Sequence, residues 1–417
     1  MHKAIVTKIK VTPHPNADRL AVGYICGETV IVGKDTPDGE LGVYFNCELQ
    51  LSKEFAQAND LIRRKDADGN DAGGFFEENR RVRIQKFRGV KSHGFWMPIS
   101  CLKDFGNYSS LKEGDQIDTF NNIPLCCKYI SNRNPRKSGG KIPSARKKEV
   151  CFPEHLDTQQ LKYNINKLSK GDELIISLKI HGTSQRTGYI LCNKELTYWE
   201  KWVKWLGFDI SETKLDYLNG TRRVVIKNTF GNPFHGPELR EQAASKILPF
   251  LEPYMIAYYE VIGYEPSGAS IMPKHNLGKL KEKELIKQYG ETITYTYGCA
   301  EGQHDVYVYR IVWVLPNGKT IDLSWDEVKE KCNSWGVKHV PELQRFVYDG
   351  DVDKLILELD NISDGPDPID SRHIREGICV RVNKPGWFCF KNKGWTFKVA
   401  EGIIKEDENY VDLEEES

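Results

Sequence analysis

The sequence predicts an α+β protein: a small all-β barrel at the N-terminus, followed by a larger domain of antiparallel sheets with flanking helices. Three observations carry this. Up to about residue 125 the chain reads as short β-rich runs broken by glycine turns, with little helical spacing. Beyond Cys151, strand-like and helix-like segments are mixed. Between them, Lys128 to Lys148 holds eight Lys or Arg, no acid, the pair Gly139-Gly140 and two prolines, the composition of a linker. The expected layout is a first domain at 1–127, a basic linker at 128–150, a second domain at 151–401 and an acidic tail at 402–417.

The elements follow in chain order. Ile5 to Val11, Ala21 to Val32, Leu41 to Phe45, Arg80 to Lys86 and Gly94 to Pro98 are β-rich, and Gly33, Gly39, Gly69, Gly73 and Gly74 mark turns. Five or so short strands suit a small barrel. In the second domain, Glu173 to Lys179 and Thr187 to Leu191 read as a strand pair, and Glu238 to Leu251 has helical spacing. Tyr254 to Ile262 returns to strand. Asp305 to Leu315 alternates, with Tyr307, Tyr309, Ile311 and Trp313 on one face. Ser324 followed by Glu327 forms a capping-box pattern that opens a helix to about Trp335. Gly377 to Val382, Trp387 to Phe390 and Thr396 to Val399 are expected to close the domain as short strands.

Composition bounds the function. The 417 residues suffice for two or three domains, and 39% hydrophobic with 28% charged residues is an ordinary globular mix. There is no run of about 18 apolar residues, so no membrane span is expected. Met1 to Lys10 has no apolar core of signal-peptide type, so a cytoplasmic or otherwise intracellular site is expected. The eleven cysteines include no CxxC pair, which fits reduced thiols. The net charge is zero but segregated: the basic linker is balanced by seven acids and no base from Glu406 to Ser417. Zero net charge therefore does not exclude a nucleic-acid partner, while an acidic tail is usually a solvated end.

The chemistry centres on Leu178-Lys179-Ile180-His181-Gly182-Thr183-Ser184. A lysine ends an apolar strand just before a glycine turn. Withdrawal from bulk water lowers a lysine's pKa and frees its amine as a nucleophile.

Lys179-Ile180-His181-Gly182-Thr183 resembles the nucleotidyl-transfer signature of RNA ligases, which often carry His where DNA ligases and capping enzymes carry Asp. The rest of that pattern follows in order. Ala257 to Gly263 resembles the motif with a Glu, here Glu260, on a strand before a Gly. Val308 to Ile311 resembles the segment whose aromatic residue stacks on adenine. Arg375 to Arg381 resembles the Glu-Gly-hydrophobic motif, and Phe390-Lys391-Asn392-Lys393 the Lys-x-Lys motif. The segment Phe152 to Thr158 resembles one that precedes the nucleophile. Leu178 is a departure, because many of these ligases place Glu there.

The resemblance implies a nucleotidyltransferase domain that uses ATP and Mg²⁺, with Mn²⁺ as a substitute. Lys179 would carry AMP, Lys391 and Lys393 would neutralise the α-phosphate, and Glu376 would bind the metal. Glu260 would touch the ribose or a metal shell. Tyr309 would stack on adenine, with Tyr307 the next candidate. Ile180, His181 and Gly182 would line the nucleotide site. Arg222 or Arg223, in Gly220-Thr221-Arg222-Arg223, or the rival Arg186 would contact phosphate or ribose.

In the first domain, His14 to Leu20 and Phe87 to Gly94 resemble both halves of the tRNA-binding type of OB fold. An OB domain placed first resembles the nick-sealing RNA ligases of the Deinococcus type. Arg88, Lys91, His93 and Trp96, with Phe95, are the candidate nucleic-acid face. Trp199, Trp202 and Trp205 are expected to pack. The implied partner is a nicked duplex of RNA or containing RNA, met by a monomer. Two alternatives remain open: a capping-type guanylyltransferase using GTP, and a non-catalytic RNA-binding protein with a relic transferase domain.

Overall fold

Two antiparallel-rich sheets with a cleft between them organise the larger domain. The computed structural model describes residues 3–64, 73–129, 151–194, 196–226, 237–277, 283–384 and 386–400. Nearly all of the expected basic linker and all of the acidic tail lie outside the described residues.

One sheet has five strands. Glu173–Lys179 lies between Glu342–Val347 and Gly377–Val382, and Cys389–Lys393 and Gln159–Gln160 extend it. The other has six, ordered Val225–Ile226, Thr213–Gly220, Thr183–Asn193, Met255–Gly263, His304–Val314 and Thr320–Asp322. Glu173–Lys179 and Thr183–Asn193 are therefore not the strand pair the sequence suggests. The chain crosses from one sheet to the other at His181-Gly182. Gly182 is required there: a Cβ would sit 2.8 Å from the Val261 carbonyl oxygen and 2.8 Å from Ile262 Cγ2. One continuous apolar core spans the crossing, from Ile175 and Leu178 through Tyr259 and Ile262 to Val328 and Phe397.

Helices pack around this core. The Ser324 capping box opens a helix at Trp325–Trp335, which ends on Gly336 in the left-handed region, φ 66°. Pro237–Ser245 forms the shorter first part of the expected helix. Thr396 to Val399, expected as strand, belongs instead to the helix Trp395–Ala400. Its first turn is held from elsewhere in the chain, because the Thr396 N–H donates to the Asp364 carboxylate at 3.2 Å. The helix Tyr198–Trp205 also reverses an expectation. Trp199 and Trp205 are 74% and 79% exposed, so these aromatics line a surface instead of a core.

The N-terminal region is built from short antiparallel ladders. Gln116–Ile117, Ala4–Lys8, Leu41–Asn46 and Gly94–Pro98 make a four-stranded sheet, and Lys10–Pro13, Leu20–Ile25 and Glu28–Gly33 a three-stranded one. Among the described residues these ladders do not close into the expected barrel. The break falls at buried Ile9, whose N–H donates to the Glu40 carbonyl, so the expected strand Ile5 to Val11 is split between two sheets. The expected strand Ala21 to Val32 is a hairpin. It turns at Cys26-Gly27, φ 50° and 72°, the twist a two-residue hairpin favours.

This region packs on the larger domain. At Gly27 a Cβ would lie 2.7 Å from Ile356 of the helix Val352–Ser363. Glu28 reaches Lys162 at 3.4 Å, and Lys162 reaches Asp360 at 2.8 Å. The candidate nucleic-acid face is largely consumed here. Lys91 Nζ lies 3.3 Å from the centroid of the Trp395 ring, and the His93 ring meets Trp395 edge-on at 5.3 Å. Trp96 is buried in an apolar cluster with Ile9 and Tyr44, while Arg88 remains exposed. Aromatic and basic residues in one stretch served domain docking as well as they would have served RNA. Among the described residues no helix is long and apolar enough to cross a membrane.

Candidate active site

Lys179 ends a strand whose residues Leu174 to Leu178 are all buried, so its ammonium emerges between the two sheets with little access to bulk water. In register it lies opposite Gly377, the residue after Glu376. Strand pairing alone thus brings together two motifs about 200 residues apart. Lys179 Nζ stands 2.8 Å from Glu376 Oε1, and Lys393 Nζ lies 3.3 Å from the same oxygen. His181 Nδ1 is 3.6 Å from Glu376 Oε2. Glu376 is 0% exposed, so this carboxylate is tolerable only because cations surround it.

The cleft above Lys179 has a volume of about 720 Å³, its open mouth included. From the five-stranded sheet come Lys179, Cys379, Arg381 and Lys391, and from the six-stranded sheet Ser184, Glu260 and Tyr309. Tyr309 owes its position to a bulge. Tyr258 pairs with Arg310 and Tyr259 with Val308, which leaves Tyr309 as the extra residue on its strand. Its phenol shares a hydrogen bond with Ser184 Oγ at 2.9 Å, and burial holds its pKa well above the usual tyrosine range. Tyr307, on the other side of the bulge, is buried in the core.

The remaining expected residues divide. Gly182, Arg222 and Glu260 line the cleft. Ile180 lines it too, with most of its side chain in the core. His181 is buried behind the cleft. Its N–H donates to the Tyr297 phenol at 2.7 Å, and its ring packs on Tyr295 and Phe397. Lys393 faces a separate cavity shared with Glu28 and His93, and meets the same Glu376 oxygen as the nucleophile. Arg186 is 1% exposed and absent from the cleft lining. Its guanidinium donates to the Arg222 carbonyl and lies 4.5 Å from the centroid of the Phe152 ring. Of the three candidate arginines, Arg222 faces the cleft, Arg223 is exposed and absent from its lining, and Arg186 braces the loop that carries both.

Several residues of the site escaped the sequence reading. His155 packs edge-on against Tyr309 at 5.3 Å and Trp387 at 6.1 Å. Burial, then the nearby charges of Arg222, Arg310 and Arg186, hold its pKa well below the ordinary histidine value, so it is neutral. The signal was the Phe152 to Thr158 segment that contains it. Arg240 had no such signal. Buried at the end of the helix's first turn, it donates to the Ser184 carbonyl at 3.0 Å and Thr183 Oγ1 at 2.8 Å, and burial lowers its pKa to about 10. It holds in place the strand that follows the nucleophile's turn.

The family model described as RNA ligase matches residues 172–399. Among solved structures, Naegleria gruberi RNA ligase with PPi aligns with a TM-score of 0.61 at 16% identity, covering 96% of this chain and 98% of that chain. A lysine-to-methionine mutant of that ligase with AMP and Mn aligns with a TM-score of 0.60 at 17% identity, covering 95% and 98%. An arginine-to-alanine mutant with ATP and Mn aligns with a TM-score of 0.60 at 17% identity, covering 97% and 100%. At these identities the likeness is one of fold. No curated protein sequence matches the chain.

Proposed function

Because this chain belongs to the RNA ligase family, with residues 172–399 matched to it, we propose that it joins RNA ends through a covalent AMP on Lys179, drawn from ATP with the help of a divalent cation. The observation that carries this reading is the placement of Lys179. Its amine stands against a buried carboxylate in the lining of a nucleotide-sized cleft, to which a second lysine, Lys391, also contributes.

The chemistry follows from that geometry. Lys179 must lose a proton before it attacks, and Glu376 at 2.8 Å is within reach to accept it. The amine then bonds to the α-phosphorus of ATP, and the bond to pyrophosphate breaks. An RNA 5′-phosphate oxygen next attacks that phosphorus and releases Lys179. Finally a 3′-hydroxyl attacks the RNA phosphorus and expels AMP. Each step is a phosphoryl transfer, in which the protein supplies position and charge. Lys391 faces the phosphates, Tyr309 offers its ring to adenine, and neutral His155 packs the base side without adding charge.

A divalent cation fits the residues present. Glu260 lines the cleft and Glu376 lies buried behind Lys179, and no group of three or more His, Cys, Asp or Glu that could hold a metal occurs among the described residues. That sparse donor set suits a hydrated ion shared with substrate phosphates. When bound, it supplies charge stabilisation to the phosphate oxygens.

The Naegleria structures with ATP and Mn and with AMP and Mn support this choice of nucleotide and metal. An N-terminal domain of OB type, a duplex nick with RNA on the 3′-hydroxyl side and a monomeric enzyme complete the reading. They rest on motif resemblance. The test is covalent labelling. With α-labelled ATP and Mg²⁺ the protein should retain label at Lys179. Label from GTP alone would favour a capping-type transferase, and no label from either would favour a non-catalytic protein.

A further inference from the structure

The wall of the nucleotide cleft holds two cysteines that the adenylate chemistry does not use. Cys379 lies on the strand Gly377–Val382, and Cys389 opens the neighbouring strand Cys389–Lys393. In register Cys379 stands opposite Lys391, and Cys389 opposite Arg381. The cysteines are therefore diagonal neighbours on one face of the ladder, with a cation at each of the other two corners. All four residues line the cleft. The two thiols share a hydrogen bond.

This setting differs from that of other buried cysteines in the chain. Burial pushes the thiols of Cys101 and Cys332 up to about 12, and thiols held so are inert. At Cys389 the hydrogen bond with Cys379, aided by the positive charges of Arg381, Arg310 and Lys179, outweighs burial and lowers the pKa below the ordinary thiol value. Cys379 is raised, first by the same hydrogen bond and then by burial. The pair thus gives up one proton readily and keeps the other. A thiolate in an electropositive cleft, beside a second thiol that can resolve it, is open to oxidation. A cleft that admits a nucleotide also admits a peroxide.

We propose that Cys379 and Cys389 are a redox-active dithiol in the wall of the nucleotide cleft, which a hydroperoxide oxidises to a disulfide that bars ATP. The Cys389 thiolate attacks one peroxide oxygen, the O–O bond breaks, and the other oxygen leaves as hydroxide. Cys379 then attacks the sulfenic acid so formed. The S–S bond forms, the S–O bond breaks, and water leaves with the Cys379 proton. The two sulfurs lose the two electrons that the peroxide gains. Diagonal neighbours stand about 7–8 Å apart at Cα, whereas a disulfide spans about 4.4–6.8 Å. Bridging therefore draws the strands together and shifts Lys391, which faces Cys379. A bond strained in this way is easily reduced again. The effect on activity rests on the adenylation reading above, and the bridge itself does not.

The test treats reduced full-length enzyme with hydrogen peroxide and reads two signals. Arg381 separates the cysteines in the chain, so trypsin cuts between them and a disulfide leaves two peptides joined. Mass spectrometry should find the joined pair. Uptake of label from α-labelled ATP should fall at least tenfold and return with dithiothreitol. A protein carrying both Cys379→Ala and Cys389→Ala should stay within twofold of its own untreated uptake. Absence of the joined peptides in the wild type would overturn the proposal, whether or not the double variant folds. A bridge that leaves adenylation intact would overturn it too. So would an equal loss of uptake in the double variant, which would place the damage at other cysteines. Reduced wild type that takes no label would overturn the adenylation reading itself, and the joined peptides would still decide the dithiol.

Discussion

Glu376 is the residue whose role changes most between sequence and structure. As a letter in the string it is one acid among 59 Asp and Glu, and for a surface acid alanine would leave stability nearly intact. In the fold it is fully buried between Lys179 and Lys393. Removing it takes the buried counter-charge from between two close ammonium groups, a loss of about 3–5 kcal/mol. Glu376→Ala should therefore melt well below wild type as well as fail at adenylation, and a wild-type melting curve would refute this. Lys391 is half-buried at the cleft wall, so Lys391→Ala should cost less than about 0.5 kcal/mol in stability while slowing joining by about tenfold or more. His155 gives a pH signature. Its folded pKa is depressed, so the stability it contributes is complete above its unfolded pKa of about 6.5 and declines as pH falls toward the folded value. His275, lowered to about 3 chiefly by burial, acts with the same sign. Below about pH 6.5, stability of wild type should fall more steeply than that of His155→Gln, by up to about 1.4 kcal/mol per pH unit. Parallel curves in denaturant titrations across that range would contradict it.

Elements show what could be read in advance and what could not. The helix at Trp325–Trp335 carries its own capping box and stop signal, so local sequence determined both its ends. The strand that bears Lys179 was equally plain, because its apolar run is local. Three features were not. The helix Trp395–Ala400 is held by Asp364, about 30 residues earlier, and no local pattern announces that. The bulge at Tyr309 depends on the register of a partner strand, although the alternation did single out the tyrosine. The crossing at Gly182 is legible as a turn, but not as a change of sheet. Its space is closed on one side by Val261 and Ile262, so Gly182→Ala must push the turn and Lys179 apart from that strand. Crowding of this kind costs about 1–3 kcal/mol. Adenylation should fall by about tenfold or more, because the nucleophile moves relative to the phosphorus. Normal adenylation in a folded Gly182→Ala protein would show that the close approach is dispensable.

At the scale of the molecule, the motifs of the catalytic domain were legible because each is short and contiguous, while the contact between domains was not. Lys91 and His93 read as a basic, aromatic RNA face, yet they pack on Trp395, two residues beyond Lys393. The sequence suggests that residues 151–401 suffice for adenylation. The docking of Glu28 on Lys162 and of Gly27 on Ile356 argues that the first domain also buttresses the second. A chain lacking residues 1–127 should thus melt lower and adenylate more slowly than the full protein, and should lose sealing of RNA ends. Full sealing by that truncation would remove the first domain from the account. The central claim, that Lys179 carries AMP to RNA, is tested most directly by Lys179→Ala given two substrates in parallel, one with an ordinary 5′-phosphate and one already adenylated. The account predicts no joining of the first and measurable joining of the second, since only the second has bypassed the nucleophile. Joining of the 5′-phosphate strand by Lys179→Ala would contradict it.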